Sequence, residues 1–159
     1  MSLQYVIFEL DHLKYAIDID RVNEITESKE ITPLPTSALS IEGVVNLRGK
    51  VIPIINLGRI FGTSHENTFR NSKLFQIMVI NSNQSDFGLI IDLAKDVKTI
   101  DDNDITPISA LISNSKGYIT STINLNNEII QVVSIENILS ASSLENSSGD
   151  ILLLETKKH

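Results

Sequence analysis

The sequence predicts an all-β protein with a few short helices, built by internal duplication as two small barrels sharing one apolar seam. Segments rich in Val, Ile and Leu recur at short spacing between turn signals, a pattern of small barrels rather than of a parallel sheet. The chain also repeats itself. Tyr15–Ile25 aligns with Phe87–Val97 at an offset of 72 residues, and Leu3–Phe8 aligns with Phe75–Ile80 at the same offset. Further on, Val45–Leu57 aligns with Ile123–Ile135 at an offset of 78, so the second copy is the longer one in between.

Each copy reads as strand, turn, strand, loop, hairpin and short helix. In the first copy the opening strands meet at a turn over Asp11-His12, and the following loop holds Thr32-Pro33-Leu34-Pro35, whose prolines exclude a central strand. Next comes a hairpin with arms Val44–Leu47 and Val51–Ile55 and a tip at Arg48-Gly49. A helix over Asn56–Phe61 ends at Gly62, the residue expected in a left-handed cap. The second copy turns at Asn81–Asp86, connects through Asp101–Pro107, closes its hairpin at Asn126-Asn127 and ends in a helix over Ser134–Leu139. One domain is thus expected over residues 1–140, with the first copy at roughly 3–62 and the second at roughly 75–140. Residues 141–159 form a polar linker and tail, with a short apolar tag at Asp150–Glu155.

The chain has 159 residues, enough to bury about 70% of its unfolded surface. A net charge of −7 and a pI near 4.9 argue against nucleic acid or anionic lipid as the main partner. No apolar run approaches the roughly 18–20 residues of a membrane span, so direct membrane insertion is not expected. The opening Met1-Ser-Leu-Gln-Tyr5 has no basic region followed by an apolar core, so no signal peptide is expected either. The lack of cysteine excludes a disulfide framework and a thiolate metal site, and fits a cytoplasmic protein.

Catalytic patterns are missing. His12, His65 and His159 share no ligand-like spacing, so no metal and no cofactor is expected. Asp101–Asp104 resembles the start of a calcium loop but lacks the glycine at its sixth position and carries Ile112 where the closing glutamate belongs. No nucleophile elbow or phosphate-binding glycine loop is present. Asp18 and Asp20 read as one solvent-facing side of a strand. A catalytic role is therefore not expected.

The informative difference between the copies lies at the hairpin tips. Asn126-Asn127 suits a tight turn, whereas Arg48 is an odd choice where φ > 0 is required. Glu24 in the first copy matches Asp96 in the second, and its position allows it to pair with Arg48. Two readings stay open: a surface ion pair worth about 0–1 kcal/mol, or an arginine kept for a partner, since arginine is enriched at interface hot spots.

Gly43-Val-Val-Asn-Leu-Arg-Gly49 followed by Val51-Ile-Pro-Ile-Ile-Asn-Leu57 strongly resembles the signature of CheW-type coupling proteins of bacterial chemotaxis. Tyr15-Ala-Ile17, Val22–Ile25, Ile31–Pro35, Gly88–Asp92 and Tyr118-Ile-Thr120 fall in family order around it. The resemblance implies two five-stranded, SH3-like β-barrels packed on a common hydrophobic seam. It also implies a non-enzymatic cytoplasmic adaptor, recruited to membrane-associated receptor arrays, joining chemoreceptor tips to the histidine kinase CheA. A scaffold for another motility or developmental pathway in the same fold is the alternative. By this resemblance the receptor's helical hairpin tip would meet Val22, Glu24, Ile25, Asn46, Leu47, Arg48 and Gly49. The kinase's regulatory domain would meet Leu89, Ile90, Ile91 and Asp92. Asn56, Gly58 and Ser121 depart from the usual pattern, Ser121 by replacing a glycine, so the backbone there is expected to avoid φ > 0 or to bear strain.

Overall fold

The computed structural model describes residues 2–35, 40–62, 74–82, 85–108 and 117–142. His65, Ile112, His159 and residues 143–159 of the tail lie outside them. The first repeat supplies β1 (Ser2–Leu10), β2 (Leu13–Asp18), β3 (Val22–Glu27), β4 (Ile41–Leu47), β5 (Lys50–Asn56) and α1 (Leu57–Phe61). The second supplies β6 (Gln76–Ile80), β7 (Phe87–Ile91), β8 (Leu93–Asp101), β9 (Ile105–Pro107), β10 (Ile119–Leu125), β11 (Glu128–Val133) and α2 (Ile135–Ser142). The connection read as a loop over Asp101–Pro107 is a 3-10 turn at Asp102–Asp104 leading into β9, and α2 runs three residues past Leu139.

The local chemistry falls where the turn rules put it. Asp11 and His12, Arg48 and Gly49, and Asn126 and Asn127 all have positive φ, as two-residue hairpin turns require. Gly62 caps α1 at φ 73°, its N–H donating to the Arg59 and Gly58 carbonyls. Ser121 is not among the positive-φ residues, so the backbone avoids the conformation its side chain disfavours.

Sheets and repeats do not coincide. A six-stranded sheet has the order β8-β1-β2-β11-β10-β9, and a five-stranded sheet has the order β3-β6-β7-β5-β4. The β1–β2 hairpin of the first repeat therefore sits between β8 and β11 of the second, and β6–β7 sits between β3 and β5 of the first. The parallel pairings β2–β11 and β5–β7 seal the two insertions. Pairing of β5 with β7 begins at Ile54, one residue past Pro53, so the proline's missing N–H costs no bond there.

Among the described residues no ladder joins the two edge strands of either sheet to close the expected barrels, and the strand counts are six and five rather than five each. Each sheet nevertheless rolls. Asp101 ends β8 on one edge and Ile105 begins β9 on the other. The chain between them spans about 14 Å at most, while six flat strands would hold those edges about 24 Å apart. In the smaller sheet, Thr32, which follows β3, forms a bridge to Val44 of β4, with reciprocal N–H···O bonds of 2.8 and 2.9 Å. That bridge is the counterpart of β9. It requires Gly43, at φ 152°, because a Cβ there would lie 2.1 Å from the Thr32 carbonyl oxygen.

Rolling divides the core in three. Tyr5, Ile7 and Ala16 pack with Ile100, Ile123 and Ile130 inside the larger sheet, and Val45, Ile52 and Ile54 pack with Ile77, Val79 and Ile90 inside the smaller. Between the sheets lies the common seam, with Val6, Phe8 and Tyr15 from one side and Met78, Ile80 and Leu89 from the other. Central strands are buried on both faces, which is why they read as unbroken apolar runs. A row of rings, Phe8, Tyr15, Phe61 and Tyr118, ties the larger sheet to α1 with centroid separations of 5.6, 5.2 and 6.1 Å.

Candidate docking surface

The hairpin β4–β5 and the opposite edge strand β3 meet at one ion pair. Arg48 Nη1 donates to Glu24 Oε2 at 2.7 Å and Nη2 to Oε1 at 3.1 Å, a two-pronged fit of guanidinium to carboxylate. The arginine side chain is 76% exposed and the glutamate 25%, so the pair lies at the surface with the arginine outermost. Asn46 Oδ1 accepts from the Gly49 N–H at 2.9 Å, fastening the turn from inside. Lys50 reaches Asp86 at 3.0 Å, tying the hairpin to the start of β7. The tip is therefore held from three directions, and Arg48 stays at φ 55° in a turn that Asn or Gly fits more easily.

Two exposed apolar side chains lie on the elements that carry the pair. Ile25 follows Glu24 on β3 and is exposed. Val51, opposite Asn46 in the hairpin register, is 62% exposed. Sequence reasoning took Val51 only as a hairpin arm. The available signal was its place opposite a polar residue in an otherwise apolar strand pair. Its counterpart in the other sheet, Ile129 opposite Asn124, is equally bare.

The remaining candidates divide by burial. Val22 is half-buried and packs against the seam, while Asn46 and Gly49 are exposed beside Arg48. Leu47 points inward as part of the smaller sheet's core. Leu89, Ile90 and Ile91 are also interior, because β7 has the seam on one face and the rolled sheet's core on the other. Their side chains are thus not available at the surface. Only Asp92 of that set is exposed, and its Oδ2 accepts from the Asp11 N–H at 2.8 Å. Asp18 and Asp20 do not line a strand face: Asp18 ends β2 and accepts from the Asp20 N–H at 2.9 Å, capping a 3-10 turn.

Two polar clusters pin the far end of the hairpin and the entry to β3. A register shift between Ile41 and Gly43 aims Glu42 inward. There Glu42 Oε1 accepts from Asn56 Nδ2 at 2.9 Å and pairs with Arg59 at 2.8 Å, its side chain only 2% exposed. Asn56 also caps α1. At the crossover from β2 to β3, Arg21 pairs with Glu136 of α2, and Asn81 bonds the Asp20 carbonyl and the Asn23 side chain. The hydrogen bond from Arg21 holds the Glu136 pKa below the usual carboxylate range. On the larger sheet, the hydrogen bond between Lys14 and Glu128 likewise raises the lysine's pKa and lowers the glutamate's.

Among the described residues no group of His, Asp or Glu has the arrangement of a metal site, and no helix is long and apolar enough to cross a membrane. The class these features define is a duplicated, intertwined two-sheet β protein with one salt-bridged hairpin tip. The family follows: the CheW-like domain model matches residues 4–143, and the chain belongs to that family. It is 34% identical over 110 residues to the chemotaxis protein CheW of Thermotoga maritima, covering 68% of this chain and 70% of that one. It is 30% identical over 147 residues to CheW of Treponema pallidum, covering 91% and 86%. Its structure resembles the crystal structure of the scaffolding protein TtCheW from Thermoanaerobacter tengcongensis, with a TM-score of 0.78 at 29% identity. The match covers 87% of this chain and 93% of that one.

Proposed function

We propose that this chain is a non-enzymatic cytoplasmic adaptor in chemotaxis that holds the cytoplasmic tips of chemoreceptors against the histidine kinase CheA at membrane-associated receptor arrays. The observation that carries the reading is Arg48. It occupies a backbone conformation unfavourable to it, mostly exposed, and is fixed in direction by Glu24, while the equivalent hairpin closes with asparagines. A turn does not need that arginine, so a partner is the better reason for it.

The receptor's helical hairpin fits a surface of this kind. Ile25 and Val51, exposed on the strands that carry Glu24 and follow the Arg48 tip, offer apolar contact, and the oriented guanidinium suits an acidic side chain, so a helix carrying both fits. Val22 and Asn46 border it, and Leu47 supports it from the interior. For the kinase contact, Asp92 is the exposed member of its candidate set, beside the β1–β2 turn. No catalytic step is required: the adaptor acts by fixing how receptor and kinase are held together.

Calorimetric titration of the purified chain with the CheA regulatory domain, and separately with a receptor-tip fragment, tests the proposal. Saturable binding to each is expected. Failure to bind either one at concentrations up to the millimolar range would sink it.

A further inference from the structure

We propose that the two repeats are obligate partners of each other, so that neither folds alone and the chain, once cut between them, stays together as a two-chain complex. The interaction surface is the gap each repeat leaves in its own sheet, and the occupant is the first hairpin of the other repeat.

Removing β6 and β7 from the smaller sheet leaves the hairpin β4–β5 and an isolated β3, because β3 pairs along its ladder with β6 and β5 pairs with β7. Removing β1 and β2 from the larger sheet strands β8 in the same way and leaves β9–β10–β11 as a three-stranded remnant whose apolar face has lost Tyr5, Ile7 and Ala16. A lone hairpin and an unpaired strand are at best marginally stable in water. Both rolled cores are also shared: Ile54 of the first repeat packs with Ile77 of the second, and Ile7 of the first with Ile123 of the second. The fit is close. A Cβ on Gly88 of β7 would stand 2.6 Å from Ile54 Cδ1 across the repeat boundary. The ion pairs Lys14–Glu128, Lys50–Asp86, Arg21–Glu136 and Lys95–Glu9 also join one repeat to the other.

The alternative, two barrels each closed by its own repeat, predicts the opposite behaviour on cutting. The proposed intertwining also means that the edge strand carrying Glu24 and the hairpin carrying Arg48 are held in one sheet by strands of the second repeat. The docking surface is thus incomplete without it, whatever that surface binds.

A protease site inserted between Glu66 and Asn67 of the full chain, cleaved after folding, tests the inference. The cut protein is expected to elute as one species of the intact size and to melt in one transition. Its Tm should fall on dilution, as it does not for the uncut protein, because unfolding now separates two chains. Fragments separated in denaturant should each lack sheet signal by circular dichroism and regain it on mixing. Two folded fragments that part under native conditions overturn the proposal, and so does loss of the fold on cutting. Hydrogen exchange on the unaltered protein gives a second reading. Amides of β1 and β2 should exchange in one cooperative unit with β8 and β11, and two units contiguous in sequence would contradict it.

Discussion

Replacing Arg48 separates its two possible roles. Both Arg48→Ala and Arg48→Asn remove the guanidinium, and they differ in the turn. Arg48 sits at φ 55°, where an alanine bears the same steric penalty as the arginine, so that contribution cancels in Arg48→Ala. What remains is the ion pair with Glu24, of 2.7 and 3.1 Å but with the arginine 76% exposed. Solvent screening and side-chain entropy limit such a pair to about 0–1 kcal/mol. For a chain of this size, about 2–4 °C of Tm corresponds to 1 kcal/mol, so Arg48→Ala should lower Tm by no more than about 4 °C. Arg48→Asn, which copies the residue at the other tip, should lie closer still to the parent because asparagine tolerates the left-handed region.

Affinity for the receptor tip should behave differently. A hot-spot arginine is worth about 2 kcal/mol or more on truncation, roughly a thirtyfold rise in Kd. Both variants should show it, although one restores the ideal turn. Scanning calorimetry and titration calorimetry on the same samples give both numbers. If Arg48→Asn binds as tightly as the parent, or if Arg48→Ala loses stability by several kcal/mol with affinity per folded molecule unchanged, the arginine is structural and the reasoning fails.

Gly88→Ala should destabilise by about 1–3 kcal/mol through overpacking, because its methyl would meet Ile54 Cδ1 at 2.6 Å and the stiff β-branched Ile77 Cγ2 at 2.7 Å. Ile54→Val, which deletes the nearer atom, should recover part of that in urea titrations of the double variant, and strict additivity would refute the clash. Glu42→Ala should cost about 2 kcal/mol or more, since it strips Asn56 and Arg59 of a buried acceptor; a shift in urea midpoint worth less than 1 kcal/mol would argue that the cluster relaxes freely. Glu136→Gln addresses pH. A depressed carboxylate pKa adds stability above the unfolded value near about 4.3 and loses it as pH falls through the folded value. Glu136 is mostly exposed, so the parent should exceed the variant by under about 1 kcal/mol at pH 7. That difference should shrink as pH falls below the unfolded value and disappear once pH is below the folded one, and thermal melts of the pair from neutral to acid pH check its direction.

Local features were legible in the sequence because they depend on neighbours along the chain. The Arg48-Gly49 and Asn126-Asn127 tips, the stop at Gly62 and the reach of Glu24 to Arg48 all follow from turn chemistry and the duplication. The exchange of hairpins was not legible for a physical reason. Val6-Ile7-Phe8 and Met78-Val79-Ile80 are both unbroken apolar runs, so the sequence pattern suits either hairpin to either sheet. Alternation states which face a residue takes, not which repeat supplies its neighbours. Leu89–Ile91 entered the kinase-facing set only through the family resemblance, whereas an unbroken apolar run fits a strand with core on both faces, as β7 has. Glu42 was hidden by a register shift, which turns inward a residue that plain alternation would send to solvent.

The central claim, that the surface around the β4–β5 tip and β3 receives the receptor, is tested most directly by mapping amide shifts of the isotope-labelled chain during titration with the receptor-tip fragment. Perturbed amides are expected to gather at Val22, Glu24, Ile25, Asn46, Arg48, Gly49 and Val51 and to leave the Asn126-Asn127 tip unmoved. A map centred on the larger sheet's tip, with the Arg48 region silent at saturation, would contradict it.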